Sequence, residues 1–195
     1  AQDVKALRND WVAPKGGLVV VADYGHGLIG HKQAIEIMTT TQKAHAFLAM
    51  TVQANSSNWG FNLLTKWPKA QYVVLDQNEL RLACADQHGD IEQLARSQHG
   101  RMGTKVFIVT LGHEGCLALN GGDVVRMPAF AEKVVDRMGA GDAFMAATAP
   151  LAWAGAPTDI IALIGTIAGA IKVAKVGNQG ITRREVESWL TSALS

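Results

Sequence analysis

The sequence predicts a single α/β domain with a mainly parallel sheet flanked by helices. Short apolar runs that suit buried strands alternate with longer segments of helical periodicity, and this order is typical of such sheets. Of the 195 residues, 48% are hydrophobic and 18% are charged, so the chain is apolar enough to bury a core. Since no linker divides it, we expect residues 1–195 to form one domain.

The predicted strands and helices follow one another regularly along the first part of the chain. Strands are predicted at four apolar runs, Gly17–Asp23, His45–Val52, Tyr72–Leu75 and Lys105–Leu111. Helices are predicted between them, over Lys32–Thr40, Trp59–Lys66, Asn78–Ala85 and Ile91–Ser97. Because the apolar runs are continuous, we expect the strands to be buried on both faces.

The last part of the chain adds a predicted hairpin and three helices. The glycines of Asn120–Asp123 separate the strands Cys116–Leu119 and Val124–Met127, which is typical of a hairpin turn. A second glycine turn follows, and then helices are predicted over Ala143–Ala154, Asp159–Ala174 and Arg183–Leu194.

Composition and charge disfavour several classes of protein. The 18 basic and 17 acidic residues leave a net charge of +1, so we expect no nucleic-acid partner bound by bulk charge. The longest apolar stretch, 160–171, is shorter than the roughly 20 residues that cross a membrane, so no membrane span is expected. Cys84 and Cys116 have neither disulfide nor zinc spacing, and a reducing cytoplasm is the simplest setting.

The segment Asp136–Asp142 carries the clearest chemical signal. It places the small residues Gly139, Ala140 and Gly141 directly before an apolar helix. Backbone N–H groups at a helix N-terminus lack partners and, together with the helix dipole, bind anions. Asp142 lies in the first turn, where it can take a proton from a hydroxyl that attacks a bound phosphate. The alternative role for Asp142 is that of a helix cap.

Three motifs, in matching order, show that the chain resembles the ribokinase (PfkB-type) carbohydrate kinases. Asp136 and 139–144 match the family's Asp-Thr-x-Gly-Ala-Gly-Asp-x-Phe signature. Val109–Gly115 is similar to its Val-Thr-Leu-Gly-x-x-Gly nucleotide loop, and Ala22–Gly27 to the Asp-Tyr-Gly-Lys-Gly turn of its heptose-phosphate kinases. Those kinases are often fused to a nucleotidyltransferase that makes ADP-heptose. The resemblance implies a three-layer ribokinase-like fold that is incomplete at its N-terminal side.

The resemblance also implies an activity and a set of site residues. The activity is ATP-dependent phosphorylation of a sugar or sugar-phosphate hydroxyl with Mg²⁺, and some members also use a monovalent cation such as K⁺. Asp142 is the implied general base, and the N–H groups of 139–141 are the implied anion hole. The implied nucleotide contacts are Thr110, Gly112, Gly115 and Asn178, and Asp136 is expected near the monovalent cation.

Several positions depart from the family pattern. The family's Asn-x-x-Glu is replaced by Asp76-Gln77-Asn78-Glu79, and Asp76 and Glu79 are expected to organise Mg²⁺ through water. The Asp-Pro-Lys-Gly of the heptose kinases is replaced by 53–56, which begins with Gln53. His26 replaces the lysine of the Tyr-Gly-Lys-Gly turn. Asp23 ends a strand at the edge where α/β sheets bind ligands, and either contacts substrate or forms the turn.

Three functions therefore remain to be compared. The first is the sugar kinase, and the second is a truncated or degenerate kinase domain that binds nucleotide or supports assembly without catalysis. The third, a dinucleotide-dependent oxidoreductase, is disfavoured because no Gly-x-Gly-x-x-Gly follows the first strand. The family's first strand, lid and Gly-Gly sugar motif have no counterpart here. We therefore expect the isolated chain to bind nucleotide weakly, to lack sugar kinase activity and to form homo-oligomers.

Overall fold

A central sheet and two helical layers make up the protein, in a computed structural model that describes residues 11–54, 58, 60–177 and 179–193. The sheet has the sequential strand order β1 to β6. Its strands are β1 (Leu18–Asp23), β2 (Phe47–Val52), β3 (Tyr72–Asp76), β4 (Val106–Thr110), β5 (Cys116–Asn120) and β6 (Asp123–Met127). Strands β1–β4 are parallel, and β5 and β6 continue the sheet in antiparallel orientation.

The helices lie on both faces of the sheet. They are α1 (His31–Lys43), α2 (Gln77–Cys84), α3 (Ile91–Met102), α4 (Ala140–Trp153), α5 (Thr158–Val173) and α6 (Arg183–Ala193). Helices α1–α3 connect the parallel strands and pack on one face, because right-handed crossovers in sequential order all fall on the same side. Helices α4 and α5 follow the hairpin and cover the other face.

Each face of the sheet buries its own apolar cluster, as strand β3 shows. Val73 and Leu75 point to the face of α1–α3, whereas Tyr72 and Val74 point to the face of α4 and α5. All four side chains are fully or almost fully buried. The Tyr72 hydroxyl donates a hydrogen bond to Thr148 Oγ1 at 2.7 Å, which fixes α4 against the sheet. The predicted burial of this strand on both faces is confirmed.

Strand β1 departs from the same prediction. Val19 and Val21 are buried, but Val20, on the other face, is 48% exposed. Within the described residues β1 pairs only with β2, so it is the edge strand, and α4 covers only part of its outer face. The prediction of burial on both faces is therefore wrong for β1, whose apolar run is buried on one face only.

The segment before β3 also differs from its prediction. In place of a helix over Trp59–Lys66, the described part forms a single 3₁₀ turn, Leu64–Lys66. The hairpin turn between β5 and β6 is found as predicted, and α4 continues through Pro150. Among the described residues, no helix combines the length and apolarity that a membrane span requires.

Candidate active site

The turns that follow the four parallel strands lie side by side at one edge of the sheet. Asp23 at the end of β1 is paired in register with Val52 of β2, and Asp76 of β3 with Thr110 of β4. The first turn of α4 lies over this edge, because Asp142 contacts residues that follow β1 and β2. The predicted motifs therefore meet where ligands bind in parallel α/β sheets.

Asp142 is held by hydrogen bonds to one of its two carboxylate oxygens. Gln53 Nε2 donates to Oδ1 at 3.0 Å, and the Tyr24 hydroxyl donates to the same oxygen at 3.2 Å. Oδ2 accepts no hydrogen bond within the described part of the chain. Asp142 does not act as the helix cap, because Gly139 is the N-cap of α4 and no side chain caps it. The carboxylate is fixed in place with one oxygen available.

The two donors to Asp142 have chemistry that suits the contact. Burial, followed by the nearby Asp142 charge, raises the pKa of Tyr24, so its phenol stays protonated and donates. Gln53 supplies a neutral amide at the position where the heptose kinases begin Asp-Pro-Lys-Gly. A second carboxylate at that distance would repel Asp142. Both residues lie in motifs that depart from or match the family pattern, but their contact with Asp142 was not predicted. The signal that could have indicated it is the amide at position 53, where the family pattern has an acid.

The glycine turn before α4 presents unpaired N–H groups. Gly139 has φ +77°, a left-handed conformation that strains residues with a side chain. The N–H groups of Gly139 and Gly141 have no acceptor within the described residues. The N–H of Ala140 instead points back to the carbonyl of Arg137, 3.4 Å away. Two of the three predicted anion-hole donors are therefore unpaired, and the third closes the turn.

Asp136 fastens this turn to the loop that follows α5. Its Oδ1 accepts from the N–H of Met138 at 2.9 Å, and its Oδ2 accepts from the N–H of Gly177 at 3.1 Å. The Gly177 carbonyl accepts from Lys172 Nζ at 2.7 Å. A monovalent cation does not fit beside an ammonium in this corner, because like charges repel. Asn178, the predicted late contact, lies outside the described residues.

Asp76 and Glu79 form the capping box of α2. Asp76 Oδ1 accepts from the Asn78 N–H, and Glu79 Oε2 accepts from the Asp76 N–H, each at 2.8 Å. Glu79 Oε1 accepts from the Ala54 N–H at 3.1 Å, so Glu79 also fixes the loop that follows β2. Burial, partly opposed by these backbone bonds, raises the pKa of Glu79 to about 7. The nearby charges of Asp76 and Asp142 raise it further.

The donor set around Asp76 fits Mg²⁺ held by water and phosphate rather than by a protein cage. In residues 11–54, 58, 60–177 and 179–193, no group of three or more His, Cys, Asp or Glu could hold a metal ion. Mg²⁺ commonly keeps several waters and uses one or two carboxylates with substrate phosphates. Asp76 retains Oδ2 for such a contact, whereas both oxygens of Glu79 are bonded to backbone N–H groups.

The predicted nucleotide contacts have different surroundings. Thr110 Oγ1 donates to the carbonyl of Leu75, which ties the end of β4 to β3. Gly112 has φ +63°, and a Cβ there would face open space. A Cβ on Gly115 would collide with the carbonyl of Met127, so this glycine is required for the close approach of β6. The space beside Gly112 is open, whereas Gly115 is packed against β6.

Asp23, the predicted substrate contact or turn former, lies in a saturated buried cluster. It is 2% exposed, and its Oδ2 pairs with Lys66 Nζ at 2.5 Å and accepts from Trp67 Nε1 at 3.0 Å. Its Oδ1 accepts from the Gly25 N–H at 3.3 Å and from Asn62 Nδ2 at 3.4 Å. These contacts support a structural role in place of substrate contact, and they tie segment 62–67 to the end of β1.

The sequence of the chain is similar to those of known carbohydrate kinases. The pfkB family carbohydrate kinase model matches residues 30–183. A 2-dehydro-3-deoxygalactonokinase of Haloferax volcanii is 29% identical over 158 residues, which are 78% of this chain and 49% of the relative. The bifunctional protein HldE of Paramagnetospirillum magneticum is 28% identical over 174 residues, 87% of this chain and 34% of the relative. The chain thus spans half or less of the length of these relatives.

Solved structures give the same fold. Phosphofructokinase-2 from Escherichia coli in complex with potassium superposes with a TM-score of 0.79 at 14% identity, covering 93% of this chain and 59% of that one. Ribokinase from Thermotoga maritima has a TM-score of 0.71 at 22% identity, covering 90% of this chain and 57% of that one. The predicted three-layer ribokinase-like fold is confirmed. With most of its length matched by the family model, the chain belongs to the pfkB family of carbohydrate kinases.

Proposed function

We propose that this chain carries the nucleotide site and the catalytic base of an ATP-dependent kinase for a sugar or sugar-phosphate hydroxyl. The observation that carries the proposal is the pairing of Asp142 with the glycine turn. One carboxylate oxygen is available in the same first turn of α4 where Gly139 and Gly141 present unpaired N–H groups. A base beside an anion hole is the arrangement that phosphoryl transfer to a hydroxyl needs.

In this proposal each group has one task. Asp142 Oδ2 takes the proton of the acceptor hydroxyl while Gln53 and Tyr24 keep Oδ1 in place. The hydroxyl oxygen then attacks the terminal phosphorus of ATP, and the bond to ADP breaks in line. The N–H groups of Gly139 and Gly141 bind the charge that develops on the phosphoryl oxygens. Mg²⁺, when bound, lowers the negative charge of the phosphates, and Asp76 is the carboxylate placed to meet it through water.

The names of the relatives support a sugar-type acceptor but differ in detail. One is a 2-dehydro-3-deoxygalactonokinase, and several others are bifunctional HldE proteins. We propose a heptose-phosphate-like acceptor on the basis of the Ala22–Gly27 turn and of the HldE similarity. A nucleotidyltransferase partner, fused or separate, follows from the same similarity.

A non-catalytic nucleotide-binding or assembly module is the second candidate function. It is favoured by one observation, the exposed outer face of β1 around Val20 in a chain that spans half or less of its curated relatives. An apolar strand face of this kind is suited to packing against another segment or subunit.

Phosphoryl transfer to a panel of sugars and sugar phosphates distinguishes the two functions when it is measured with the family's sugar-binding segment present, because the isolated chain is expected to lack turnover in either case. In the kinase, Asp142→Asn lowers turnover by about 10²- to 10⁴-fold, the usual contribution of a general base, without changing the melting temperature. Asp123→Asn, on the exposed hairpin, is the matched control and leaves turnover unchanged. ATP binding without transfer to any acceptor would favour the module. If the Asp142→Asn protein keeps its turnover, Asp142 is not the base.

A further inference from the structure

Lys172, near the end of α5, is a buried ammonium without a carboxylate partner. The residue is 4% exposed, and its Nζ donates to the Gly177 carbonyl at 2.7 Å. Among the described residues, no carboxylate lies within 4.0 Å of it. A buried charge that lacks an opposite charge destabilises a fold. An ammonium also has three N–H donors, and acceptors within the described residues use one of them.

The ammonium lies against the glycine turn. A Cβ built on Gly139 would lie 3.0 Å from Lys172 Cε and 3.8 Å from Nζ. Gly139 opens the turn whose unpaired N–H groups face the proposed phosphate site. Asp136, the carboxylate of the same corner, bonds the N–H groups of Met138 and Gly177 and makes no ion pair with Lys172. Lys172 is therefore an ammonium that makes no direct ion pair among the described residues, and it lies beside the turn where an anion is expected.

We infer that Lys172 is a tethered cation for the phosphate bound at the glycine turn, and that it takes the place of a free monovalent cation in this protein. The inference rests on the proposed function, since it takes the terminal phosphate of ATP as the anion. A positive charge here offsets the repulsion between that phosphate and Asp142. The same charge repels K⁺, so the monovalent cation expected beside Asp136 is not used.

A structural role is the alternative for Lys172. Lysine in the last turn of a helix can bond the final carbonyls and is favoured by the helix dipole. The two roles differ in their effect on stability. Replacing a structural cap lowers the melting temperature, whereas replacing an unneutralised buried charge by an apolar side chain raises it or leaves it unchanged.

Calorimetric titration of ATP and AMP tests this assignment. For Lys172→Met we expect ATP binding to weaken by about tenfold to a hundredfold, the range for a lost charge-assisted hydrogen bond. AMP binding and the melting temperature do not fall. The matched control is Lys175→Met, three residues later. This lysine pairs with Glu185 at 2.6 Å and does not lie within 4 Å of a Cβ built on Gly139, so ATP binding is unchanged. Unchanged ATP affinity in Lys172→Met, with a lower melting temperature, would overturn the assignment.

Exchange of choline chloride for KCl at constant ionic strength tests the replacement of K⁺. The unsubstituted chain binds ATP equally in both salts, and Lys172→Ala, which leaves a space for an ion, regains affinity in KCl. If the unsubstituted chain binds ATP more tightly in KCl, Lys172 does not take the place of K⁺. This comparison uses the unsubstituted chain alone, so it does not depend on the folding of a variant. An unsubstituted chain that is folded but binds no ATP in either salt would instead contradict the proposed function, and the assignment with it.

Discussion

Asp23 and Asp142 stand at the same edge of the sheet and differ in how completely the protein neutralises them. Asp23 is 2% exposed, and both of its oxygens are bonded, one of them to the ammonium of Lys66. Asp142 accepts hydrogen bonds on one oxygen alone, and no cation pairs with it among the described residues. A carboxylate whose bonding capacity is used internally holds the fold together, whereas one with an available oxygen can take a proton.

The largest expected effect on stability comes from breaking the Asp23 cluster. Asp23→Ala removes the buried member of the ion pair and leaves the half-buried Lys66 and the buried Trp67 N–H without this partner, which costs about 3–5 kcal/mol of unfolding free energy. Urea denaturation measures this loss, with Asp142→Asn as the control that remains within about 1 kcal/mol of the unsubstituted chain. Equal stability of the two variants would remove the distinction between the two carboxylates.

Glu79 lies between the two cases, since it is half-buried and bonded to two backbone N–H groups, and no cation pairs with it in the described part of the chain. Its pKa is raised to about 7 from 4.5, so the folded protein binds the proton more tightly than the unfolded chain. Stability from this group is therefore present below pH 4.5 and is lost as pH rises toward 7, by about 3 kcal/mol. Urea unfolding of the unsubstituted chain and of Glu79→Gln at pH 5 and pH 8 measures this loss of stability. The variant is expected to lack this part of the pH dependence, because a glutamine does not titrate. Parallel pH profiles of the two proteins would contradict it.

The hydrogen bond from Gln53 to Asp142 gives the next prediction. Gln53→Glu places a second carboxylate against Oδ1, which lowers the unfolding free energy at pH 7 by about 1–3 kcal/mol. Because one of the two carboxylates then has a raised pKa in the folded state, stability recovers toward pH 4. Gln53→Ala is the control, since it removes the hydrogen bond without adding charge and shows no such recovery. A Gln53→Glu protein with flat stability across this pH range would show that the two side chains do not meet.

The smallest effect concerns the exposed face of β1. Val20→Thr removes apolar surface from a position that is 48% exposed, so stability changes by less than about 0.5 kcal/mol. Sedimentation velocity measures the expected loss of self-association. Val21→Thr, on the buried face of the same strand, is the comparison, because it lowers stability instead. Unchanged association of the Val20→Thr protein would place the self-association surface elsewhere.

The sequence predicts the fold and the glycine turn that carries Asp142, because both depend on local patterns. Apolar runs and helical periodicity located the strands and most helices, and small residues before an apolar helix located the glycine turn. These signals lie within single segments of about ten residues. The start of α4 needed no knowledge of its neighbours in space. The sequence interpretation gave Asp76 and Glu79 a role toward Mg²⁺ and did not include the capping box that the two residues form.

The Asp23 cluster could not be predicted in the same way, because its partners are brought by other segments. Asn62 lies 39 residues from Asp23 in the chain and Trp67 lies 44 residues away. Nothing in 59–66 shows that its polar side chains bond β1 rather than favour a helix. Lys172 was missed for a similar reason, since a lysine in the last turn of a helix is typical of a solvated end. Burial against Gly139 is a property of the packed structure.

Titration of ATP with Mg²⁺ into the unsubstituted chain and into Asp142→Asn, followed by calorimetry, tests the central claim most directly. If the glycine turn before α4 is a phosphate site and Asp142 is the base beside it, both proteins bind ATP. The variant binds as tightly or more tightly, because a negative charge next to the phosphate is removed. Loss of ATP binding in a folded Asp142→Asn protein, or its absence in both proteins, would contradict the account.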